Sequence, residues 1–595
     1  MKKAFSNREI AAMMREMAAF YEMEGVPFKP QAYEQAADGI ASADVSAESL
    51  FKTDGVKGLR RIPGVGEGIA GHIKTLFTKG TFPEYARFKK KYPFDALALT
   101  SIEGIGPKTA LAMYKALKVR TLKDLERAAR AGKIADVPHY GAKAQEHILK
   151  GLGIGEEDGK RTRGPALIKK EVGERKILGF ILPLARGMEE RLRAVAGVQH
   201  AVVCGSVRRR QETIGDLDFI VTTSQPKKVM DAFASFPEVA RVLERGGTMT
   251  TVRLANGMHA DVRVVPDGSF GAAVQYFTGD KDHGIKTRKM AIKKGLKLNE
   301  YGLWRGKRKI ASRTEEDVYR ALGLPYIEPE LRTDTGEIEA AKAGTLPKVI
   351  GYDAMRGDLQ VQTDWSDGAG SIADMAAAAS ELGYEYMAVT DHTKALAMTG
   401  GLNAKRLAQQ ARAIEAFNRR SRSVTVLKGI EADILKDGSL SLSGATLARL
   451  DFVGASVHSH FRLSREQQTA RIIEAMKDPN VDAIFHPTGR KINKREPAEV
   501  DMEALLKAAK ATGTAMEIDA YPDRSDLKDK HVRMAVALGV KLVIDTDAHE
   551  PAHMRYMDNG IAIARRGWAE RKDVLNARPL KELLQWLRKP KKERR

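Results

Sequence analysis

Residues 205–221 read Gly-Ser-Val-Arg-Arg-Arg-Gln-Glu-Thr-Ile-Gly-Asp-Leu-Asp-Phe-Ile-Val and carry the strongest functional pattern in the chain. Asp216 and Asp218 stand two positions apart at the head of an apolar run, so on a strand both carboxylates point to the same face. Carboxylates beside arginines and a Gly-Ser turn suit a phosphate bound together with a divalent metal ion. The alternative, a strand end with a solvated acidic turn, leaves unexplained why two like charges share a face where the chain enters a core.

A third carboxylate lies in a later predicted strand, His259-Ala260-Asp261-Val262-Arg263-Val264-Val265. Two-metal phosphoryl transfer uses carboxylates on neighbouring strands, and an aspartate inside an alternating strand pattern is otherwise unfavourable. Asp261 is therefore the candidate for this position. The alternative is an exposed ion pair between Asp261 and Arg263.

Length and charge limit the classes of protein that fit. A chain of 595 residues with 43% hydrophobic and 30% charged residues predicts three or four globular domains. The single cysteine, Cys204, excludes an internal disulfide and fits a reducing cytoplasm. The polar N-terminus does not resemble a secretory signal, and no apolar run is long enough for a membrane span. A net charge of +22, from 99 basic and 77 acidic residues, predicts a polyanionic partner, with nucleic acid favoured over membrane.

Two similar breaks interrupt the helix-rich first quarter of the chain, at residues 62–70 and 102–110. Each break places a Gly-hydrophobic-Gly unit before a new helix, which is typical of a helix-hairpin-helix module. Free N–H groups at such helix starts can bind DNA phosphates. The glycines concerned are Gly64, Gly66, Gly104 and Gly106. An ordinary helix–helix turn would explain either break alone, and we interpret a weaker third stretch, 137–143, as structural.

Further along, the pattern changes to strands and then to alternating strands and helices. The first set of predicted strands is Val198–Val203, Leu217–Thr222, Thr250–Leu254 and His259–Val265. The second set is Tyr386–Thr390, Val424–Leu427, Phe452–Ala455, Ala483–Phe485, Ala515–Ile518 and Leu542–Ile544. Alternation over so long a segment predicts an α/β barrel-like domain. Small residues and a closing proline at 340–347 indicate a linker, and residues 588–595 read as a frayed basic tail.

Candidate metal ligands follow the strands of this second set. They are His392, Glu431, His458, His486, Asp547 and His549. Side chains at the ends of parallel strands meet at one mouth of a barrel, and mixed His and carboxylate ligation suits Zn²⁺, Mn²⁺ or Fe²⁺. Any one histidine could be structural, but five strand ends in register make coincidence improbable.

The chain contains the arrangement Gly-Ser-x(9)-Asp-x-Asp, the later Asp261, and the segments Tyr-Phe-Thr-Gly at 276–279 and Asn-Glu-Tyr-Gly at 299–302. In these motifs it resembles the family X DNA polymerases, of the DNA polymerase beta type. With the two hairpin motifs, the resemblance covers about residues 1–332. It implies that Asp216, Asp218 and Asp261 hold two Mg²⁺ or Mn²⁺ ions. It also implies roles for further residues: Ser206, Arg209 and Gly215 at the triphosphate, Tyr276, Phe277 and Gly279 at the sugar, and Arg288 near the template strand.

Two positions depart from this family. Gly284 stands where an asparagine usually contacts the nascent base pair, and the loss of that donor predicts low fidelity. His72 stands where lyase-competent members carry a Schiff-base lysine, with Lys74 two residues on. Because neutral imidazole does not replace an amine in Schiff-base chemistry, this substitution argues against deoxyribose-phosphate lyase activity.

The C-terminal region resembles the PHP (polymerase and histidinol phosphatase) domain, which implies a multi-metal phosphoesterase site and 3′–5′ exonuclease activity. The matching ligands are Asp367, His392, Glu431, His458, His486, Asp547 and His549. The opening His-x-His motif is replaced by Gln360 and Gln362, whose neutral amides are poor ligands beside imidazole. We therefore predict one weak or empty metal position and a weakened exonuclease. His460 and Asp519 are nearby polar groups without an assigned role.

The predicted protein is multidomain, with an all-α helix-hairpin-helix N-terminal region, an α+β nucleotidyltransferase palm with a thumb, and a C-terminal distorted α/β (PHP) barrel. The predicted boundaries are 1–90 for the 8-kDa-like domain, 91–165 for the fingers-like domain, 166–265 for the palm, 266–332 for the thumb, 333–347 for the linker, 348–580 for the PHP domain and 581–595 for the tail.

The leading functional prediction is a monomeric DNA-directed DNA polymerase that uses dNTPs on gapped or primed DNA in short-gap repair. It is expected in the cytoplasm, associated with the nucleoid and not with a membrane. One alternative is a nucleotidyltransferase that extends ends without a template. The other is a DNA-binding repair scaffold with a decayed nuclease.

Overall fold

A computed structural model describes residues 5–41, 46–62, 64–100, 102, 105–137, 140, 141, 145, 148, 175–396, 399–421 and 423–594. The chain forms two compact units. The first contains Met1–Glu174, Asp231–Arg245 and Thr250–Ala260, and the second contains Arg175–Met230, Gly246–Met249 and Asp261–Arg595. Within the described ranges, no helix is both long and apolar enough to cross a membrane.

The first unit is mainly helical, as the sequence predicts. Its helices are α1 (Asn7–Met23), α2 (Lys29–Ala41), α3 (Ala47–Arg60), α4 (Glu67–Lys79), α5 (Pro83–Lys91), α6 (Ala96–Thr100), α7 (Pro107–Leu117) and α8 (Leu122–Arg130). Ser6 and Glu9 form a reciprocal capping box that starts α1. The rings of Phe20 and Phe88 pack 5.4 Å apart in a core that runs through these helices.

Short strands and helices follow. The strands are β1 (Lys176–Ile177), β2 (Val198–Val203), β3 (Thr213–Ile214), β4 (Asp216–Thr223), β5 (Val239–Arg245), β6 (Met249–Leu254) and β7 (His259–Val265). The helices are α9 (Leu178–Arg193), α10 (Gly205–Arg208) and α11 (Pro226–Ala234). In the second unit β4 lies between β2 and β7, while β5 and β6 form an antiparallel pair. Because β4 has a neighbour on each side, its first residues are held at a fixed position in the sheet.

The next segment packs helices against a small antiparallel sheet. Its elements are α12 (Phe270–Thr278), α13 (Lys281–Lys293), β8 (Lys297–Asn299), β9 (Gly302–Arg305), β10 (Arg308–Ala311), α14 (Glu315–Ala321) and α15 (Glu337–Ala343). The segment 333–347, predicted as a linker, therefore contains a helix. Ile338 and Ala341 on α15 are buried in a cluster with Tyr319, so burial of apolar side chains explains why it is folded.

The C-terminal region is a nearly closed barrel of parallel strands, which confirms the predicted fold class. Its strands, in spatial order, are β11 (Gly357–Val361), β12 (Tyr386–Val389), β13 (Thr425–Asp433), β14 (Phe452–Ser456), β15 (Ala483–Ile484), β16 (Ala515–Asp519) and β17 (Leu542–Asp545). A parallel bridge between Val361 and Ala548 brings the first strand beside the last. All residues of β11, β12, β14, β16 and β17 are buried, as expected for strands covered on both faces.

Helices surround this barrel and complete the chain. They are α16 (Ile372–Glu381), α17 (Ala404–Arg420), α18 (Gly444–Leu447), α19 (Arg465–Lys477), α20 (Met502–Thr512), α21 (Asp529–Leu538), α22 (Met557–Arg566) and α23 (Leu580–Leu587). Short 3₁₀ helices span Asp267–Ser269, Pro329–Leu331, Pro551–Tyr556, Arg571–Asp573, Leu575–Ala577 and Lys591–Glu593.

The basic C-terminal segment was predicted to be a frayed tail, but it is folded against the barrel. Leu583 and Trp586 on α23 are buried in an apolar cluster with barrel side chains. Beyond them, Arg594 donates to the buried carboxylate of Asp482 at 2.5 Å, and Lys591 donates to backbone carbonyls. A local run of basic residues could not reveal these partners, which lie more than a hundred positions earlier in the chain.

A buried ion-pair network joins three segments of the second unit. Arg208 donates to both carboxylate oxygens of Glu315, and Arg332, which is fully buried, donates to the same carboxylate at 2.6 Å. Burial alone would raise the pKa of Glu315, but Arg332 and Arg208 lower it to about 2. Glu315 is therefore ionised and holds two guanidinium groups together.

We predict that Glu315→Gln destabilises the second unit by about 3–5 kcal/mol at neutral pH, because it leaves two buried cations without their anion. Urea denaturation followed through the fluorescence of the four tryptophans, all of which lie in the second unit, measures the loss. The matched control is Glu316→Gln, an exposed neighbour, which should change stability by less than about 0.5 kcal/mol. Equal effects of the two substitutions would contradict a special role for Glu315.

The same network predicts a pH dependence. The pKa of Glu315 is lower in the folded chain, at about 2, than its ordinary value of 4.5. Its stabilising contribution is therefore fully present above about pH 4.5 and is lost as the pH falls toward 2. Accordingly, the stability difference between the wild-type chain and Glu315→Gln should shrink across this window.

Candidate functional site

The three aspartates predicted from the sequence share one face of the sheet in the second unit. Asp216 and Asp218 lie at the start of β4, and Asp261 lies on the neighbouring β7. All three are half-buried, whereas the alternate residues Leu217 and Ala260 are fully buried on the other face. The alternation expected of a strand therefore brings three hard oxygen donors to one surface, a donor set that suits Mg²⁺ or Mn²⁺.

The Gly-Ser turn is built against one of these carboxylates. Gly205 has a left-handed φ of 60°, and a Cβ atom there would lie 2.7 Å from Oδ2 of Asp218. The preceding Cys204 donates its N–H to the carbonyl of Asp218 at 2.7 Å. Ser206 follows in α10, and Gly215 lies half-buried directly before Asp216. Only glycine fits the position between the turn and β4.

Arg208 and Arg209, which are neighbours in the arginine run, bind different partners. Arg208, whose role the sequence pattern did not predict, is bound by Glu315 and also donates to Oγ1 of Thr278 at 2.6 Å. Arg209 donates to the carbonyl of Thr278, and one of its guanidinium nitrogens lies 3.0 Å from where a Cβ of Gly279 would be. Burial is the main reason that the pKa of Arg209 is lower than usual.

The residues predicted for a sugar pocket and a template contact lie together. The rings of Tyr276 and Phe277 meet edge to face at 5.1 Å. Arg288 places its guanidinium 5.7 Å from the centre of the Tyr276 ring, and Arg263 lies 5.1 Å from that of Phe277. Tyr276 is 38% exposed, so part of its aromatic ring remains accessible.

The position that departs from the family, Gly284, lies in the first turn of α13, where a Cβ would meet no atom within 4 Å. Its neighbour His283 is structural: it is fully buried and its ring nitrogens contact Glu337 at 2.7 Å and Tyr319 at 2.9 Å. An open surface at Gly284 is consistent with the expected loss of a side-chain donor there.

The structure describes three of the four glycines in the predicted hairpin motifs of the first unit. Gly64 has a φ of 81°, and a Cβ would lie 2.7 Å from backbone atoms of Gln35, so the turn requires glycine. Gly66 and Gly106 are the N-caps of α4 and α7, and no side chain caps either helix. Gly104 lies outside the described residues. Uncapped N–H groups at helix starts can bind a phosphate.

His72 lies half-buried on α4 beside aromatic side chains. Its Nδ1 is 2.7 Å from the hydroxyl of Tyr33, its Nε2 is 3.5 Å from Glu84, and its ring stacks on Phe82 at 4.6 Å. Burial lowers the pKa of His72, which favours the neutral imidazole. These contacts describe a packed histidine rather than a nucleophile.

The second candidate site lies at the carboxyl ends of the barrel strands. His392, His458 and His486 follow β12, β14 and β15, and Glu431 lies on β13. Asp547 and His549 follow β17, and Asp367 lies in the loop after β11. The structure thus brings all seven predicted ligands to one end of the barrel, where parallel strands present their functional side chains.

Two groups of these side chains have spacings that could hold a metal ion. In the first group, Oδ1 of Asp367 lies 3.7 Å from Nε2 of His392, and its Oδ2 lies 3.7 Å from Nε2 of His549. In the second group, Nδ1 of His392 and Nε2 of His458 lie 3.1 and 3.2 Å from Glu431. Nε2 of His486, which is in neither group, lies 2.9 Å from the same carboxylate. His392 faces both groups through different ring nitrogens.

Charge in the second group is balanced by histidines. Burial alone would raise the pKa of Glu431, but His392 and His458 hold it well below its ordinary value. Conversely, Glu431 and Asp433 outweigh burial and raise the pKa of His458 to about 9. A buried carboxylate surrounded by imidazoles has the donor chemistry expected of a Zn²⁺, Mn²⁺ or Fe²⁺ site.

The two glutamines of the altered motif are fully buried beside this group. Nε2 of Gln362 donates to Glu431 at 3.2 Å, while Oε1 of Gln362 and both amide atoms of Gln360 have no hydrogen-bond partner among the described residues. The amide oxygens of both glutamines are therefore left without a hydrogen-bond donor in the described part of the chain.

Sequence reasoning missed Arg524 and left Asp519 without a role. Nε of Arg524 lies 3.2 Å from Asp547 and 3.2 Å from Asp519. Burial and the nearby Asp547 raise the pKa of Asp519 well above its ordinary value, whereas Arg524 overcomes burial and lowers that of Asp547. Only the fold, which brings the loop after β16 beside the end of β17, reveals this contact. His460, the other unassigned group, accepts a bond from Gln468 through its backbone carbonyl.

Comparisons with known proteins match both halves of the chain. Residues 5–82 match a helix-hairpin-helix domain, 96–153 a SAM-like helix-hairpin-helix tandem, 273–333 the DNA polymerase beta thumb and 358–519 the PHP domain. The DNA polymerase/3′-5′ exonuclease PolX of Bacillus subtilis (strain 168) is 35% identical over 588 residues, which cover 98% of this chain and 99% of the relative.

Two other relatives match parts of the chain. DNA polymerase lambda of Arabidopsis thaliana is 27% identical over 364 residues, covering 55% of this chain and 62% of the relative. A probable phosphatase of Shewanella amazonensis (strain ATCC BAA-1098 / SB2B) is 30% identical over 219 residues, covering 35% of this chain and 82% of the relative. The polymerase and PHP families to which these comparisons point are metal-dependent.

Proposed function

Since this chain belongs to the family X DNA polymerases that carry a C-terminal PHP domain, we propose that it fills short gaps in DNA during repair. The observation that carries this proposal is the group of Asp216, Asp218 and Asp261 on one face of two neighbouring strands, with the Gly205 turn packed against Asp218. A primer end and an incoming nucleotide would meet at this face.

The three aspartates would hold two Mg²⁺ or Mn²⁺ ions, which supply charge stabilisation for nucleotidyl transfer when bound. Ser206 and Gly215 would contact the triphosphate through the turn before β4. Arg209, whose guanidinium already contacts the Thr278 carbonyl, would join the triphosphate end of the pocket to its sugar end.

The sugar of a dNTP would lie on the segment that contains Tyr276, Phe277 and Gly279. This proposal is supported by the exposed Tyr276 ring and by Arg288 stacked over it. Arg288 would approach the template strand. Because Gly284 carries no donor for a base edge, we expect weak discrimination between correct and incorrect pairs.

Gapped or primed DNA would be bound through its phosphates. The net charge of +22 and the uncapped starts of α4 and α7 after Gly66 and Gly106 support this partner. Contacts of this kind carry no sequence information, which suits an enzyme that must act at any gap. We propose that the enzyme works as a monomer and lacks deoxyribose-phosphate lyase activity at His72.

The PHP domain would act as a metal-dependent phosphoesterase with weak 3′–5′ exonuclease activity. Asp367, His392 and His549 form one group of donors, and His392 with Glu431 and His458 forms another, and both fit Zn²⁺, Mn²⁺ or Fe²⁺. The exonuclease would be weak because Gln360 and Gln362 supply neutral amides where the family has imidazoles.

Extension of a primer across a one-nucleotide gap, in Mg²⁺ and in Mn²⁺, tests the polymerase. We expect Asp218→Asn to lower the rate by about 10²–10³, because loss of a metal-holding carboxylate removes about 3–4 kcal/mol of charge stabilisation. The control is Asp267→Asn, an exposed carboxylate six residues beyond Asp261, which should retain activity. A template-independent transferase would extend single-stranded ends at a comparable rate, and a scaffold would show no activity to lose.

The turn before the carboxylates provides a second test. Gly205→Ala should reduce extension at least about tenfold, because its Cβ would collide with Oδ2 of Asp218 and its φ is left-handed. Gly187→Ala is the matched control, since a Cβ there has its nearest contact at 3.9 Å on a helix. Unchanged extension by Gly205→Ala would show that the turn does not position Asp218.

Degradation of single-stranded DNA in Mn²⁺ tests the PHP domain. We expect activity at least about tenfold below that of a relative with both motif histidines, since ligand loss weakens metal affinity by that order or more. The residual activity should disappear in His392→Ala and persist in Asp218→Asn. Degradation as fast as that of an intact relative would show that the glutamines are not limiting.

A further inference from the structure

A short segment, residues 210–215, links the Gly-Ser turn and Arg209 to the strand that begins at Asp216. Two residues of this segment, Thr213 and Ile214, form β3, which pairs with the two residues of β1. A two-stranded pairing of this length is marginally stable on its own. Because Asp216 follows directly, the contacts that hold the segment also determine where this carboxylate lies.

The first of these contacts comes from the barrel loop after β15. Arg490 donates through both terminal nitrogens to the carboxylate of Glu212, at 2.5 and 3.1 Å. The Arg490 side chain is 5% exposed, and its Nε donates to the carbonyl of Ser525 at 3.1 Å. Two parallel bonds from a guanidinium fix the orientation of a carboxylate as well as its distance. The barrel therefore holds Glu212, four residues before Asp216.

The second contact comes from α22, which packs against the barrel through apolar side chains. Arg566 at the end of this helix donates through its guanidinium to the backbone carbonyl of Arg210. The Nε of Arg566 donates to Asp529 at 2.9 Å, and the side chain is 3% exposed. Since the acceptor on Arg210 is a main-chain atom, this bond positions the backbone directly after Arg209, the proposed triphosphate contact.

The start of α9 packs against the same region of the C-terminal domain. A Cβ atom at Gly179 would lie 2.6 Å from Asn559 and 2.7 Å from Pro522, so the two segments are in close contact. The preceding Leu178 donates its N–H to the carbonyl of Glu212 at 3.0 Å. Glu212 is thus held through its carboxylate by the barrel and through its carbonyl by a helix that rests on the barrel domain.

We propose that the PHP barrel positions the polymerase site, with Arg490 and Arg566 as positioning residues for Asp216. The inference rests on the proposed role of Asp216 as a metal-holding carboxylate, and adds that its placement depends on two arginines from the C-terminal domain. Both arginines act through the segment 210–215 rather than on the substrate. The barrel serves the polymerase in this way independently of its own metal site.

Steady-state extension across a one-nucleotide gap tests the proposal, in chains that carry His392→Ala so that primer degradation does not interfere. We expect Arg490→Met to lower kcat about tenfold and to raise the Mg²⁺ concentration for half-maximal extension, because partners that orient metal ligands contribute about that much to metal affinity or activity. A loss of folded protein alone would lower the rate and leave the Mg²⁺ midpoint unchanged. Arg490→Lys, which retains the charge, should recover part of the loss.

A double-mutant cycle identifies the contact through which Arg490 acts. Glu212→Gln should also slow extension, and Glu212→Gln combined with Arg490→Met should be no slower than Arg490→Met alone, because both changes remove the same pair. The matched control is Arg495→Met in the same loop, since Arg495 donates to the carbonyl of Gly489 and should not be needed for extension. Additive losses within the pair, or an equal loss in Arg495→Met, would overturn the inference.

Arg566→Met gives an independent test, because it leaves Glu212 and Arg490 unchanged. It should likewise lower kcat and raise the Mg²⁺ midpoint. If Arg490→Met fails to fold, as judged by thermal melting, Arg490→Lys and Arg566→Met decide the question by the same two readouts.

The outcomes separate this inference from the proposed polymerase site. If the His392→Ala parent does not extend primers, or if Asp218→Asn extends them as fast as the parent, the polymerase site itself is refuted and the inference falls with it. If Asp218→Asn is impaired but the Arg490 and Arg566 variants keep the parent's kcat and Mg²⁺ midpoint, only the positioning by the barrel is refuted.

Discussion

The buried carboxylate of Glu315 is the constraint on which the arrangement of the polymerase site depends. It holds Arg208 from the turn after β2 and Arg332 from the segment that leads to the PHP domain. Arg208 also contacts Thr278 at the end of α12, so this network fixes the turn after β2 relative to the end of α12. A buried charge needs such partners, and three segments distant in sequence are brought together to provide them.

Further arginine–carboxylate pairs join the segment before β4 and the thumb to the PHP barrel within the second unit. Arg490, four residues after His486, donates to both oxygens of Glu212, which stands four residues before Asp216. Arg565 similarly pairs with Glu330 at 2.9 Å. These guanidinium groups are almost fully buried. Each is matched by a carboxylate, so these pairs serve internal structure and contribute nothing to the net positive charge of the chain.

Local patterns were sufficient to predict most strands and the shared face of Asp216, Asp218 and Asp261. The period-two alternation around Asp216 and Asp261 depends only on neighbouring residues, and β2 and β7 begin and end where the apolar runs predicted. The hairpin motifs likewise depend on short glycine patterns. These features are encoded within about ten residues, which is why the sequence alone was informative about them.

Other features depend on contacts that no local pattern contains. The helix at 337–343 and the packed tail around Trp586 and Arg594 were unexpected, because their buried partners lie elsewhere in the chain. Arg208 and Arg209 are adjacent and identical in sequence, yet the first is bound by Glu315 and the second by a backbone carbonyl. For the same reason the contact between Arg524 and Asp547 could not be predicted from the sequence, since it depends on the fold of the barrel.

The two ends of the PHP site differ in whether their cations can be exchanged. Around Glu431 the compensating groups are imidazoles, which can release a proton and then offer a lone pair to a metal ion. Beside Asp547 the compensating group is a guanidinium, which keeps its proton and offers no lone pair. Carboxylates of similar burial are thus left available to metal at one end and neutralised within the chain at the other. Asp547 is therefore not an uncompensated buried charge, because Arg524 faces it.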